Sequence, residues 1–149
     1  MPFVIEQTVE IQASAETVWK VITDLDAYGE WNPFVVGCRS TFKVGDPIDM
    51  KVRLFPGFTQ KQRETILEHV PGKRLCYGIP GMPLGALSSR RGHEIYPLDP
   101  GRARYDSHFQ LSGWLAPVVR MLMGARLQAG FEAMTEALAR RAAKIGGST

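Results

Sequence analysis

Cysteine is scarce in this chain of 149 residues, Cys38 and Cys76 being the only two. They stand in no Cys-x-x-Cys or Cys/His spacing, so a disulfide framework and a zinc site both lack their ligands, and reduced thiols in a cytoplasmic protein are expected. Histidine is almost as rare. His69, His93 and His108 share no metal-ligand spacing with one another or with carboxylates, and no GxGxxG or P-loop occurs, so no metal and no cofactor is expected. Long hydrophobic runs are missing as well: the apolar stretch "WLAPVVRMLMGA" is broken by Arg120 and is far shorter than the roughly 20 residues of a bilayer span. The N-terminal "MPFVIEQTVEIQ" alternates instead of setting an apolar core behind a basic head, which argues against a secretory signal. Excess charge is small, a net +3 spread among acids in "RLFPGFTQKQR", "SRRG" and the C-terminal segment. A nucleic-acid partner would need a concentrated basic face with stacking aromatics, and none is expected.

What remains is ordinary globular composition, 44% apolar and 22% charged, in a length that suits one domain over residues 1–149 with a sizeable core. No internal repeat or low-complexity tract divides it. Residues 3–11 alternate Ile5, Val9 and Ile11 against Glu6, Thr8 and Glu10, the pattern of a half-buried strand. Ser14 can cap a following helix, Glu16 suits its positive end, and Val18, Trp19, Ile22 and Leu25 form its apolar stripe. That helix breaks near Asp24, restarts briefly before Gly29, and ends at Asn32, where Pro33 disfavours helical geometry.

Six extended segments follow: "FVVGCRSTF", "DPIDMKVRL", "FTQKQRETILEHV", "KRLCYGI", "SSRRGHEIYPL" and "RARYDSHFQLS". Gly and Pro punctuate the links, and consecutive short links imply an antiparallel meander. From about Trp114 to Ala143 a long helix is expected, with Val119, Met123, Leu127, Phe131, Met134 and Leu138 on one face, Gln128, Glu132, Glu136 and Arg140 on another, and Pro117 in its first turn. The tail "IGGST" reads as a frayed end. A single helix about 10 Å wide cannot fill the concavity of seven twisted strands, so large side chains or a ligand must occupy the remaining space.

The order strand, two short helices, six strands and long C-terminal helix resembles the helix-grip fold of the START and birch pollen allergen-like (SRPBCC) superfamily. "SAETVWKVITDLDAYGEWNPFV" is similar to that superfamily's Ala-x-x-Val-Trp-x-x-(Ile/Leu)-x-Asp and Trp-Asn-Pro signatures. "VPGKRLCY", "HEIYPLDPGRARY", "FQLSGWLAPVV" and "GFEAMTEALARRA" extend the likeness over nearly the whole chain, toward the polyketide cyclase/dehydrase-like branch. The resemblance implies an α+β fold: a seven-stranded antiparallel sheet wrapped around the C-terminal helix, enclosing a cavity for a small hydrophobic molecule such as a lipid, polyketide or aromatic compound. It does not imply one activity, because the superfamily includes carriers, hormone-binding proteins and aromatase/cyclases.

On that resemblance the second short helix closes one end of the cavity, placing Trp31 and Phe34 at its floor or rim, or simply in the core, where Trp19 is expected. Alternation puts Phe34, Val36 and Cys38 on one inward face and Ile48, Met50, Val52 and Leu54 on another, giving mainly apolar walls. By the family's pattern, the faces carrying His93 with Ile95 and Tyr105 with Ser107, Phe109 and Leu111 point inward. Phe109 stands where relatives often carry a polar residue, which makes the cavity less polar. The expected ligand-binding set is Trp31, Phe34, Val36, Met50, Val52, Tyr77, His93, Tyr105, Phe109, Val119, Met123 and Leu127. His93 and Tyr105 are the catalytic candidates: an imidazole and a phenol can orient a ligand carbonyl, act as acid and base in an aldol-type closure without metal, or satisfy only each other's hydrogen bonds. His69 and His108 are expected at the surface. Five of the eight residues from Gly78 to Gly85 are Gly or Pro, while Ile79, Met82, Leu84 and Leu87 are apolar. This loop is read as a lid, a membrane-touching tip, a homodimer or other protein contact, or a hairpin packed on its own domain.

Overall fold

A computed structural model describes residues 2–146. The strands are β1 (Phe3–Ile11), β2 (Val35–Ser40), β3 (Pro47–Phe55), β4 (Phe58–Val70), β5 (Arg74–Gly78), β6 (Ser88–Asp99) and β7 (Arg102–Ser112). They form one antiparallel sheet in the order β1-β7-β6-β5-β4-β3-β2, so the first two strands of the chain lie at opposite edges. Between them run α1 (Ala15–Thr23), a 3-10 turn over Leu25–Ala27, and α2 (Tyr28–Trp31). The C-terminal α3 (Ala116–Gly146) packs across the sheet. This is the expected helix-grip architecture. Several boundaries differ: the short second helix runs through Gly29 to Trp31, β2 is shorter at both ends than the expected segment, β3, β5 and β6 shift by a residue at one or both ends, and α3 starts at Ala116 and extends through Ile145 and Gly146. The remainder of the expected frayed tail, 147–149, lies outside the described residues.

Local chemistry accounts for the entry into the sheet. The Ser14 hydroxyl accepts a hydrogen bond from the Thr17 amide at 3.1 Å, capping α1. The Tyr28 hydroxyl donates to the Ile22 carbonyl at 2.6 Å and ties α2 to α1. Asn32, buried and extended, accepts from the Phe34 and Val35 amides at 2.9 and 2.8 Å through its side-chain oxygen. That double acceptance turns the chain out of α2 and into β2, leaving the Phe34 ring inside.

The Phe34 ring lies against the backbone of α3. A Cβ added to Gly130 would come within 2.3 Å of Phe34 Cε1, so the contact exists only because residue 130 has no side chain. Gly130→Ala is expected to destabilise the protein by about 1–3 kcal/mol through overpacking, despite the roughly 1 kcal/mol that alanine gains in helix propensity. Urea denaturation checks this, and a net gain in stability would show that the ring is not seated on the helix. At the other end of α3, Gly113 has φ +106°, and a Cβ there would stand 2.5 Å from the Ala86 carbonyl oxygen, a close approach open only to glycine.

Candidate functional site

The core fills the α1–α2 end of the space between sheet and α3; the other end is a cavity of about 300 Å³. Its floor follows the register of the sheet. Tyr77 pairs with Arg91 and Arg91 with Phe109, so these side chains form one row across β5, β6 and β7. Ile79, Ser89 and Leu111 lie one step toward the opening, and Met50, Val52, Leu54, Gln60, Gln62 and Glu64 line the wall from β3 and β4. Val119, Met123, Leu127 and Phe131 of α3 roof it, and Phe34 and Val35 close a side.

Eight of the twelve expected ligand-binding residues therefore line this cavity: Phe34, Met50, Val52, Tyr77, Phe109, Val119, Met123 and Leu127. Four do not. Trp31 packs edge-to-face on Tyr28, with ring centroids 5.2 Å apart, and borders a separate groove with α1 and the end of α3. Val36 is displaced by a bulge between Val35 and Gly37, which sets Val35 opposite Val52 and Cys38 opposite Met50, so Val35 takes the inward place that alternation gives to Val36.

His93 and Tyr105 do point inward but lie beneath the cavity floor. Leu75, His93 and Ser107 form the next row into the core, and both His93 and Tyr105 are fully buried. The imidazole spends both nitrogens on phenols: Nδ1 is 2.6 Å from the Tyr105 hydroxyl and Nε2 is 3.2 Å from the Tyr77 hydroxyl. Burial, reinforced by the Arg91 cation, holds the His93 pKa well below its ordinary 6.5, while burial pushes both phenols upward. The group is a closed, neutral hydrogen-bonded cluster, and only its Tyr77 edge reaches the cavity.

His69 is also displaced from the expected surface. A bulge between Ile66 and Glu68 pairs it with the buried Leu75, and its ring stacks on Trp19 at 5.8 Å and packs near Phe42 at 5.5 Å. His108 stays on the outer face, 3.3 Å from Glu6.

The walls are less apolar than expected. Glu64, only 7% exposed, accepts from Gln62 Nε2, and burial raises its pKa, an effect partly offset by that hydrogen bond and by Arg91. Arg91, 4% exposed, is the cavity's one cation among the described residues. Alternation offered a signal for both: Arg91 shares a face with His93 and Ile95, and Glu64 with Ile66. Wider concavities of about 610 and 570 Å³ lie outside the sheet–helix interior and are bordered by charged side chains such as Lys20, Asp24 and Arg141 or Arg39, Lys61 and Arg63. Among the described residues, no cluster of His, Cys, Asp and Glu is arranged to hold a metal ion, and no helix is long and apolar enough to cross a membrane.

The Gly/Pro-rich loop packs at its ends and is exposed at its tip. Ile79 and Leu87 line the cavity, whereas Leu84, in a 3-10 turn over Pro83–Gly85, is 93% exposed. Trp114 Nε1 donates to the Leu84 carbonyl at 3.1 Å and ties this tip to the start of α3, where Met121 and Leu122 are also exposed.

Residues 2–143 match the family described as polyketide cyclase / dehydrase and lipid transport. No curated protein matches. Among solved structures, the Zhui aromatase/cyclase from Streptomyces sp. R1128 superposes with a TM-score of 0.77 at 16% identity, over 95% of this chain and 94% of that one. A START superfamily protein from Mycobacterium smegmatis gives 0.71 at 21% identity, covering 95% of this chain and 98% of its own. Norcoclaurine synthase from Thalictrum flavum, a point mutant in complex with a transition-state analogue, gives 0.70 at 16% identity, over 97% and 96% of the two chains. At these identities the likeness is one of fold.

Proposed function

The chain belongs to the polyketide cyclase/dehydrase and lipid transport family, matched from residue 2 to residue 143, and on that footing we propose that it binds one small hydrophobic molecule between the sheet and α3. The observation that carries this reading is the cavity itself, about 300 Å³ and lined on three sides by Met50, Val52, Phe109, Met123 and Leu127, in an interior that is otherwise packed. That volume is at the low end of the roughly 300–1,000 Å³ of small-molecule sites, which favours a medium-chain or bicyclic compound over a whole diacyl lipid. Burial of apolar ligand surface, at about 25 cal/mol per Å², supplies most of the affinity. The free, largely buried thiols of Cys38 and Cys76 support a reducing, cytoplasmic setting.

The neutral fluorescent probe N-phenyl-1-naphthylamine tests the reading. Wild-type protein is expected to bind it and to melt at a higher temperature in its presence, as linkage requires. Met123→Trp, which fills the roof, should weaken binding at least tenfold with the circular dichroism spectrum intact. No binding by the wild type, or equal binding by the variant, would remove the proposal.

A cyclase/dehydrase-like activity is the second reading, supported by the presence in one cavity of Glu64, an acid held toward its protonated form, and the Arg91 cation. Here Glu64 would pass a proton, as the sequence reading expected of His93 or Tyr105, and Arg91 would stabilise an enolate. The probe 1-phenylhexane-1,5-dione should in this case close its terminal methyl onto the aryl ketone and lose one water to give 3-phenylcyclohex-2-enone; its recovery at unchanged mass dismisses that probe reaction.

A further inference from the structure

Arg91 is a buried cation without a buried anion. Its Nη1 donates to the Ser107 hydroxyl at 2.5 Å and to the His108 carbonyl at 3.3 Å, Nη2 has the Met134 sulfur at 3.7 Å, the Tyr105 hydroxyl is a further polar neighbour, and the guanidinium carbon sits 4.6 Å over the Phe131 ring. Each of these partners is neutral. Among the described residues no carboxylate lies within ion-pairing distance of Arg91, although other arginines and lysines of the surface, such as Arg63, Arg74 and Arg102, meet one. A guanidinium has five donors in a planar fork and stays protonated, and in a desolvated place it normally faces a carboxylate or phosphate. Here every protein partner of the fork is a neutral group, and the side chain borders a mainly apolar cavity.

Glu64 lines the same cavity but does not come within ion-pairing distance of the guanidinium. Its own carboxyl is paired with Gln62, and burial shifts it toward the neutral form. The cavity therefore has a positive end at the Tyr77–Arg91–Phe109 row and an apolar remainder running out beneath α3.

We infer that the ligand is a carboxylic acid on a compact apolar body, bound with its carboxylate on Arg91 and its body between Met50, Val52, Met123 and Leu127. This rests on the proposal that the cavity takes a hydrophobic molecule, and adds the headgroup to it. Charge-assisted hydrogen bonds in a water-poor site are stronger than those an alcohol makes, so an acid should be preferred to the alcohol of the same skeleton. An ammonium on that skeleton should be excluded.

The experiment compares matched pairs by displacement of N-phenyl-1-naphthylamine: decanoate with decanol and decylamine, and 2-naphthoate with 2-naphthylmethanol. The first set represents a fatty acid and the second an aromatic acid. At least one acid is expected to bind tenfold or more tightly than its alcohol, with decylamine weakest. Arg91→Met should reduce that preference to less than threefold, and Arg91→Lys should keep part of it. Equal binding of acid and alcohol would overturn the headgroup inference and leave the hydrophobic cavity standing. Binding of no compound, including the neutral probe, would overturn both. Persistence of the full preference in Arg91→Met would remove Arg91 as its cause. The wild-type comparison needs no variant, so a failure of Arg91→Met to fold leaves the inference open to refutation.

Discussion

Acidification below about pH 6.5 weakens this fold by up to about 1.4 kcal/mol per pH unit, and replacing His93 with glutamine removes that slope. His93 is fully buried between two phenols, and burial, with the Arg91 charge beside it, keeps the native imidazole neutral well below its ordinary 6.5. The unfolded chain takes up a proton near 6.5 and the native chain does not. The unfolded state thus binds more protons as pH falls, so the stability His93 supplies is complete above about 6.5 and is lost as pH falls toward the native pKa. Glu64 acts in the opposite direction: its raised pKa gives stability that is present below its ordinary 4.5 and lost as pH rises through the native value. Because the two act in opposite directions as pH falls, the comparison with His93→Gln isolates the imidazole. Urea midpoints at pH 7.5, 6.5 and 5.5 should show the variant less stable at the highest pH and the gap closing as pH falls. Parallel curves would show that the imidazole accepts a proton without loss of the fold.

Phe131→Ala is expected to cost about 3–5 kcal/mol, a large part of the roughly 5–15 kcal/mol that holds a domain together. Phe131 is 6% exposed and stands at the junction of the site: its ring centroid is 5.0 Å from Phe34, 4.7 Å from Phe109, and 4.6 Å beneath the Arg91 guanidinium. Truncation leaves a void where these three meet and exposes a buried cation to it. Because the residue borders a cavity, water can enter the enlarged space, which favours the lower half of that range. Guanidinium denaturation measures the effect, and a loss below about 1 kcal/mol would mean that the cluster repacks around alanine.

The fold was legible because its signals were local. Ser14, the alternation of β1, the Asn-Pro after α2 and the Gly-Pro links each act within a few residues, and the segment read as "FTQKQRETILEHV" is β4 without adjustment. The lining of the cavity was legible wherever alternation ran unbroken, as from Met50 to Leu54. It failed at the bulges, where one extra residue exchanges Val36 for Val35 and turns His69 inward. Failure at His93 has a different cause. Face and depth are separate properties, and alternation reports only the first; the row of a side chain along α3 depends on sheet register, which a sequence does not display. Attention to residues that ordinarily do proton chemistry also passed over Arg91, two positions away on the same face.

Strand order has a consequence for synthesis. Among the described residues β1 pairs only with β7, Phe3 opposite Leu111, so it waits for a partner translated about a hundred residues later. At roughly 5–20 residues per second that is on the order of 5–20 s during which Val4, Ile5, Val9 and Ile11 have no edge to join. The nascent chain must therefore carry an adhesive segment throughout the synthesis of the five strands between β1 and β7, and β7 is the strand that retires it.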